Sequence, residues 1–215
     1  MSKRITLVDY GMANLLNVAR AFEHCGADID IIEDPKAIQS AERLVVPGVG
    51  AFKDCIDEIR FRGFDDAIRQ FMTTERPLLG ICVGMQILFE SSEEFGQHAG
   101  LGILPGQVQA IPKQSPSGKN VRVPHIGWSH LVKPETGRNW SDTLLDAYEG
   151  ETPAVYFVHS FAAHPAHAED RLADCIYGDQ RICASVQRDN LMATQFHPER
   201  SGPVGLSLIH RFMSL

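Results

Sequence analysis

The apolar positions of this chain follow two spacings. Ile5 to Val8, Ile29 to Ile32 and Leu44 to Val46 are short runs, too brief for a helix and suited to buried parallel strands. Leu15, Val18, Ala19 and Phe22 recur every three or four residues, which predicts a helix that Asn14 can cap and that stops near Gly26. Helical spacing returns over Phe52 to Ile59 and Phe64 to Met72. Leu78, Leu79 and Ile81 make another buried strand, and Met85, Ile87 and Leu88, with Glu90 beyond, predict a helix from Val83 onward. Strands alternating with helices mean a parallel sheet covered on both faces.

From Gly100 the pattern changes. Val108, Ala110 and Ile111 predict a strand, Pro112 to Lys119 a turn-rich loop, and strands then follow closely at Val121 to Val123, His130 to Val132, Val155 to Val158, Leu172 to Ile176 and Ile182 to Val186. This reads as an antiparallel portion laid against the parallel sheet. Leu191 to Phe196 is a last strand that Pro198 stops, and Gly202 to Phe212 a closing helix with Val204, Leu208 and Phe212 on one face.

Composition narrows the class. At 215 residues and 44% hydrophobic content, the chain is long enough for one self-sufficient core, so a single domain over 1–215 is expected. A net charge of −7 gives no general attraction to phosphate backbones, so nucleic acid is not an expected partner. Five cysteines, odd in number and with no C-x-x-C pair, argue against a disulfide framework or structural zinc and for a reducing compartment. The start reaches Asp9 after four strand residues, too soon for a signal-peptide core, and no run approaches the ~18 apolar residues of a membrane span. A cytoplasmic protein with no membrane contact is the expectation.

Candidate chemistry centres on Gly80-Ile-Cys82-Val-Gly84, where an apolar strand breaks and restarts as a helix. A lone cysteine is commonly a buried core residue. Here glycines flank it as in a nucleophile elbow, the strained strand-to-helix turn that thrusts a nucleophile out at the top of a sheet. The helix N-terminus behind it favours a thiolate. His197 and Glu199, two residues apart at a strand end, suit a base and the carboxylate that orients it. Pro47-Gly48-Val49-Gly50 follows a strand end, as an ordinary tight turn or as one wall of an oxyanion hole. It lacks the spacing and the Lys-Ser/Thr ending of a phosphate loop. His164 and His167 have no partner for a metal site and read as loop surface; no metal or cofactor is expected.

Gly80-Ile-Cys82-Val-Gly-Met-Gln86 together with Gln195-Phe-His197-Pro-Glu199 resembles the class I, triad-type glutamine amidotransferases, over almost the whole chain. Three further segments, Asp9 to Leu15, Pro124 to Ser129 and Tyr156 to Ser160, resemble the branch whose members pair with a cyclase subunit that consumes ammonia. The resemblance implies an α/β, flavodoxin-like fold with a mostly parallel central sheet flanked by helices and an added antiparallel portion. It implies a Cys82, His197, Glu199 triad acting on glutamine, and oxyanion donors from Val83 and from Gly48, Val49 or Gly50. Substrate would lie among Gly50, Gln86, Glu94, His159 and Ser160, with Glu94 taking the amino group and the Ser160 region the carboxylate. Asn14, Pro124, Trp128 and the residue after the triad glutamate would face the partner. That residue is Arg200 where Lys is usual, Ser129 replaces the usual Asn, and Ala13 stands where Gly is common. Trp128 could otherwise pack over core. Another triad amidotransferase, of pyridoxal phosphate or anthranilate synthase type, fits the elbow but not Pro124 to Trp128; a stand-alone γ-glutamyl hydrolase would need no docking face.

Overall fold

A computed structural model of the chain describes residues 3–215. Its main sheet has nine strands. Five run parallel, in spatial order β2 (Ala27–Ile32), β1 (Lys3–Val8), β3 (Leu44–Gly48), β4 (Leu78–Cys82) and β13 (Leu191–Thr194). Four antiparallel strands continue it: β12 (Gln180–Arg188), β11 (Arg171–Tyr177), β8 (His125–Val132) and β9 (Ala154–His159). The antiparallel portion therefore extends the parallel sheet edge-on. A second, four-stranded sheet orders β10 (Phe161–Pro165), β7 (Leu104–Ala110), β5 (Phe89–Ser92) and β6 (His98–Ala99).

The helices follow from the crossovers. α1 (Leu15–His24) links β1 to β2, and α2 (Phe52–Phe61) with α3 (Phe64–Phe71) links β3 to β4. These right-handed connections run in opposite directions across the sheet, which puts α1 and the α2–α3 pair on opposite faces. α1 presents Val18, Ala19 and Phe22 to the core, and Phe22 meets Phe212 of α5 (Gly202–Ser214) edge to face at 6.2 Å. β4 is buried at all five positions, as its unbroken apolar run requires. Among the described residues, no helix is long and apolar enough to cross a membrane.

Several local expectations are corrected. The helix after Cys82, α4, covers only Val83–Gln86, and Phe89 to Ser92 turns back as a strand carrying Glu90; hydrophobic spacing over so short a buried stretch does not separate helix from strand. Val121 to Val123 is irregular chain, while β8 begins earlier, at His125, so Trp128 lies on a strand and not in a loop. Asn14 stands at the N-cap of α1 but its side chain makes no capping hydrogen bond. His164 sits on β10, outside any loop.

Candidate active site

The parallel strands β3, β4 and β13 end side by side, with Gly48 in register with Cys82 and Thr194 with Ile81. This is the sheet edge where open α/β folds hold ligands. Cys82 has φ 55° and ψ −113°, a conformation costly for a residue with a Cβ. Its surroundings impose that geometry. A Cβ on Gly84 would lie 1.9 Å from the Val46 carbonyl oxygen, so only glycine lets the elbow press against β3. Beneath the neighbouring turn, the buried Tyr10 hydroxyl donates to the Pro47 carbonyl at 2.8 Å, and burial raises its pKa well above the usual phenol value.

His197 is held by its backbone. Its N–H donates to the Tyr156 carbonyl at 3.0 Å, and its own carbonyl accepts from the Ser201 hydroxyl at 2.7 Å. The same hydroxyl accepts from the Tyr156 N–H, which ties the loop after β13 to β9. The loop then closes as a 3₁₀ turn over Pro198–Arg200, swinging Glu199 back under the imidazole. Nδ1 donates to Glu199 Oε1 at 2.8 Å, leaving Nε2 with no hydrogen-bond partner of normal geometry among the described residues. Burial works to lower the His197 pKa, but the facing Cys82 sulfur and the Glu199 carboxylate outweigh it and push it up to about 10. The imidazole is thus a cation at neutral pH, a proton donor already loaded.

A cavity of about 180 Å³ joins these groups, well under the ~300–1,000 Å³ of drug-sized sites. Val49, Gly50, Cys82, Val83, Gln86, Glu94, Val158 to Phe161 and His197 line it. Every substrate residue expected from sequence therefore lines this cavity. Gly48 is buried in β3 behind the wall, and the Val49 N–H donates to the Met12 carbonyl at 2.8 Å, away from the cavity. Glu94 has a second duty, since its Oε2 accepts from the Phe52 N–H at 2.7 Å and so caps α2, whose own N-cap residue is Ala51.

A family model described as "Glutamine amidotransferase class-I" matches residues 6–214. The chain belongs to the class I glutamine amidotransferase family. It is 44% identical, over 98% of its length and 99% of the relative's, to a protein named imidazole glycerol phosphate synthase subunit HisH 1 from Legionella pneumophila. It is also 44% identical to a Salinibacter ruber protein named as the HisH subunit, over 98% of this chain and 94% of that one. Among solved structures it superposes on PurLQS from Thermotoga maritima with a TM-score of 0.75 at 21% identity, covering 100% of this chain and 99% of that one. A crystal structure titled glutamine amidotransferase gives a TM-score of 0.70 at 17% identity, covering 98% and 99% of the two chains. These structural likenesses carry the fold.

Two polar features of this amidotransferase are not apparent from motif spacing. Gln195, fully buried, reaches Cys82, and His125 joins His159. His159 Nδ1 lies 2.9 Å from the Phe161 carbonyl, which can only accept, so the proton sits on Nδ1 and Nε2 accepts from His125 Nδ1–H at 3.0 Å. His125 Nε2 must then accept from the Ser129 hydroxyl, 2.9 Å away. Burial holds both imidazoles neutral, lowering His125 to about 4 and His159 to about 3. On the outer face of β8, Ile126 and Trp128 are 57% and 58% exposed, Trp128 meets Tyr156 edge to face, and the Arg200 guanidinium lies 4.4 Å over the Tyr156 ring. Pro124 and Asn14 are exposed, one before β8 and one before α1.

Proposed function

We propose that the chain, as one domain over 1–215, is the cytoplasmic glutaminase subunit of an imidazole glycerol phosphate synthase. It hydrolyses glutamine and passes the ammonia to a cyclase subunit, which makes imidazole glycerol phosphate and aminoimidazole carboxamide ribonucleotide in histidine biosynthesis. The observation that carries the chemistry is Cys82 on a strained elbow sharing a small cavity with a Glu199-held His197 and with Glu94. The identity to named HisH subunits over nearly the full length supports the pathway.

The Cys82 thiolate attacks the side-chain carbonyl carbon of glutamine, and the oxyanion is taken up by the Val83 N–H and one donor from Gly48 to Gly50. As the intermediate collapses, the C–N bond breaks and His197 gives its proton to the departing nitrogen, which leaves as ammonia. Water then attacks the γ-glutamyl thioester, its proton goes to His197, the C–S bond breaks and glutamate is released. Glu94 receives the substrate amino group, Gln86 and Gly50 flank the substrate, and His159 and Ser160 stand at its carboxylate end.

Glutamate release from glutamine by the pure chain, with and without separately purified cyclase and its nucleotide ligand, tests both parts. Strong stimulation is the expected result. High activity untouched by the cyclase would keep the chemistry and overturn the pathway, and turnover surviving in Cys82→Ala would overturn the nucleophile.

A further inference from the structure

The Cys82 sulfur accepts a hydrogen bond from a side chain outside the triad. Gln195 Nε2 lies 3.7 Å from Sγ, within range for a sulfur acceptor. An amide can be turned end for end, so which end faces the sulfur has to be argued. Gln86 settles it. Its carboxamide points one atom at both the Phe161 carbonyl, 3.0 Å away, and the Gln195 carboxamide, also 3.0 Å away. The Phe161 oxygen only accepts, so that atom is the Gln86 NH₂, which has two protons for its two partners. Gln195 therefore meets it with Oε1, and its own NH₂ is left facing Cys82. The same Phe161 oxygen accepts from His159 Nδ1–H, which anchors it from the other side. Gln86 and Gln195 are 3% and 0% exposed, so their carboxamides take their partners from the protein.

We propose that Gln195 is a further catalytic residue, whose N–H stabilises negative charge on the Cys82 sulfur and whose orientation is fixed by Gln86 and the Phe161 carbonyl. His197 holds its proton whenever the sulfur is charged, before the attack and again as the thiolate leaves, but that proton is in transit to the leaving nitrogen and back from water. The Gln195 amide N–H is never given up, so it is a second donor that stays on the sulfur throughout. In the last step water adds to the thioester carbon, its proton passes to His197, and the C–S electron pair returns to sulfur, where the Gln195 N–H meets it. The thioester sulfur is a poor acceptor and the thiolate a good one, so the bond strengthens as the thiolate leaves.

The catalytic step rests on the glutaminase reading; the effect on the thiolate does not, which sets the experiment. Iodoacetamide alkylation of Cys82 is followed from pH 5 to 9 by peptide mass spectrometry, which separates it from the four other cysteines. Gln195→Leu should move the alkylation midpoint up by about one pH unit, as for loss of one hydrogen bond to a charged group, and slow the reaction about tenfold at pH values below the wild-type midpoint. Gln195→Glu, nearly isosteric and able to accept from Gln86, should move it further by placing a carboxylate beside the sulfur. Gln86→Leu, which frees the Gln195 amide to turn, should give a smaller shift. A wild-type alkylation profile in Gln195→Leu or Gln195→Glu, with the wild-type thermal transition retained, would overturn the proposal. Failure of the amidotransferase reading looks different: no glutamine turnover by wild type with cyclase present, while the alkylation shift persists.

Discussion

His197 shows how single-residue chemistry depends on what burial is made to oppose. Desolvation alone would make a neutral imidazole; the Cys82 sulfur and Glu199 reverse that. The sign of the linkage follows. With a folded pKa raised from 6.5 to about 10, the imidazolium contributes stability in full below pH 6.5, and that contribution fades as pH climbs through about 10. His197→Gln should therefore lower the urea midpoint most near pH 6.5, the gap to wild type narrowing toward pH 10. Glutaminase turnover should fall by roughly 10²–10⁴. An unchanged gap across that range would mean the imidazole is not held as a cation. The three residues of the proposed triad can be picked out in sequence because each sits in a short motif whose local geometry is nearly forced: glycines at the elbow, a proline stopping the strand after His197. Gln195 lies in the same motif, but its proposed role cannot be read there, because it depends on Gln86 and on the Phe161 carbonyl, which only the folded chain brings together.

Among the elements, the parallel half was readable and the antiparallel half only in part. Buried parallel strands are continuous apolar runs, so β1, β3 and β4 were plain. β8 is only half readable because Pro124-His-Ile-Gly-Trp has loop chemistry, and its outer face leaves the apolar Ile126 and Trp128 more than half exposed. Its inner face carries His125, stacked between Phe157 at 4.6 Å and Tyr177 at 3.9 Å. The fold keeps His125 and His159 neutral, whereas the unfolded chain protonates them below pH 6.5, so stability drains as pH falls from 6.5 toward their folded values of about 4 and about 3. His125→Phe keeps the stacking but leaves His159 Nε2 and the Ser129 hydroxyl without their partner. It should cost about 1–3 kcal/mol at pH 7.5. Its urea midpoint should also fall less steeply than that of wild type between pH 6.5 and 4.5. A parallel acid limb in the two proteins would show that the acid loss comes from elsewhere.

For the whole molecule, the proposed dependence on a cyclase needs a part of the site that a partner could change. The Gly48–Val49 peptide points its N–H at the Met12 carbonyl, and the following peptide is anchored by the Val49 carbonyl, which accepts from the Cys55 thiol at 3.4 Å. Val49 is β-branched and resists positive φ, so turning that peptide needs work from outside. The proposed source is a cyclase seated on Trp128, Arg200 and their neighbours, beside which the loop carrying His197 is tied to β9. An exposed Trp on a rigid strand, flanked by a guanidinium stacked on Tyr156, is the composition of an interface anchor. Trp128→Ala should weaken cyclase binding by about 2 kcal/mol, roughly thirtyfold. The glutaminase rate of the isolated chain should not change. Val49→Gly, which removes the resistance to positive φ, should raise that isolated rate and shrink the stimulation by cyclase. Steady-state glutamate release over a cyclase titration separates the two variants: Trp128→Ala shifts the half-saturation point, Val49→Gly the starting level. If Val49→Gly starts as low as wild type and is stimulated as strongly, the resting peptide is not what holds the enzyme back.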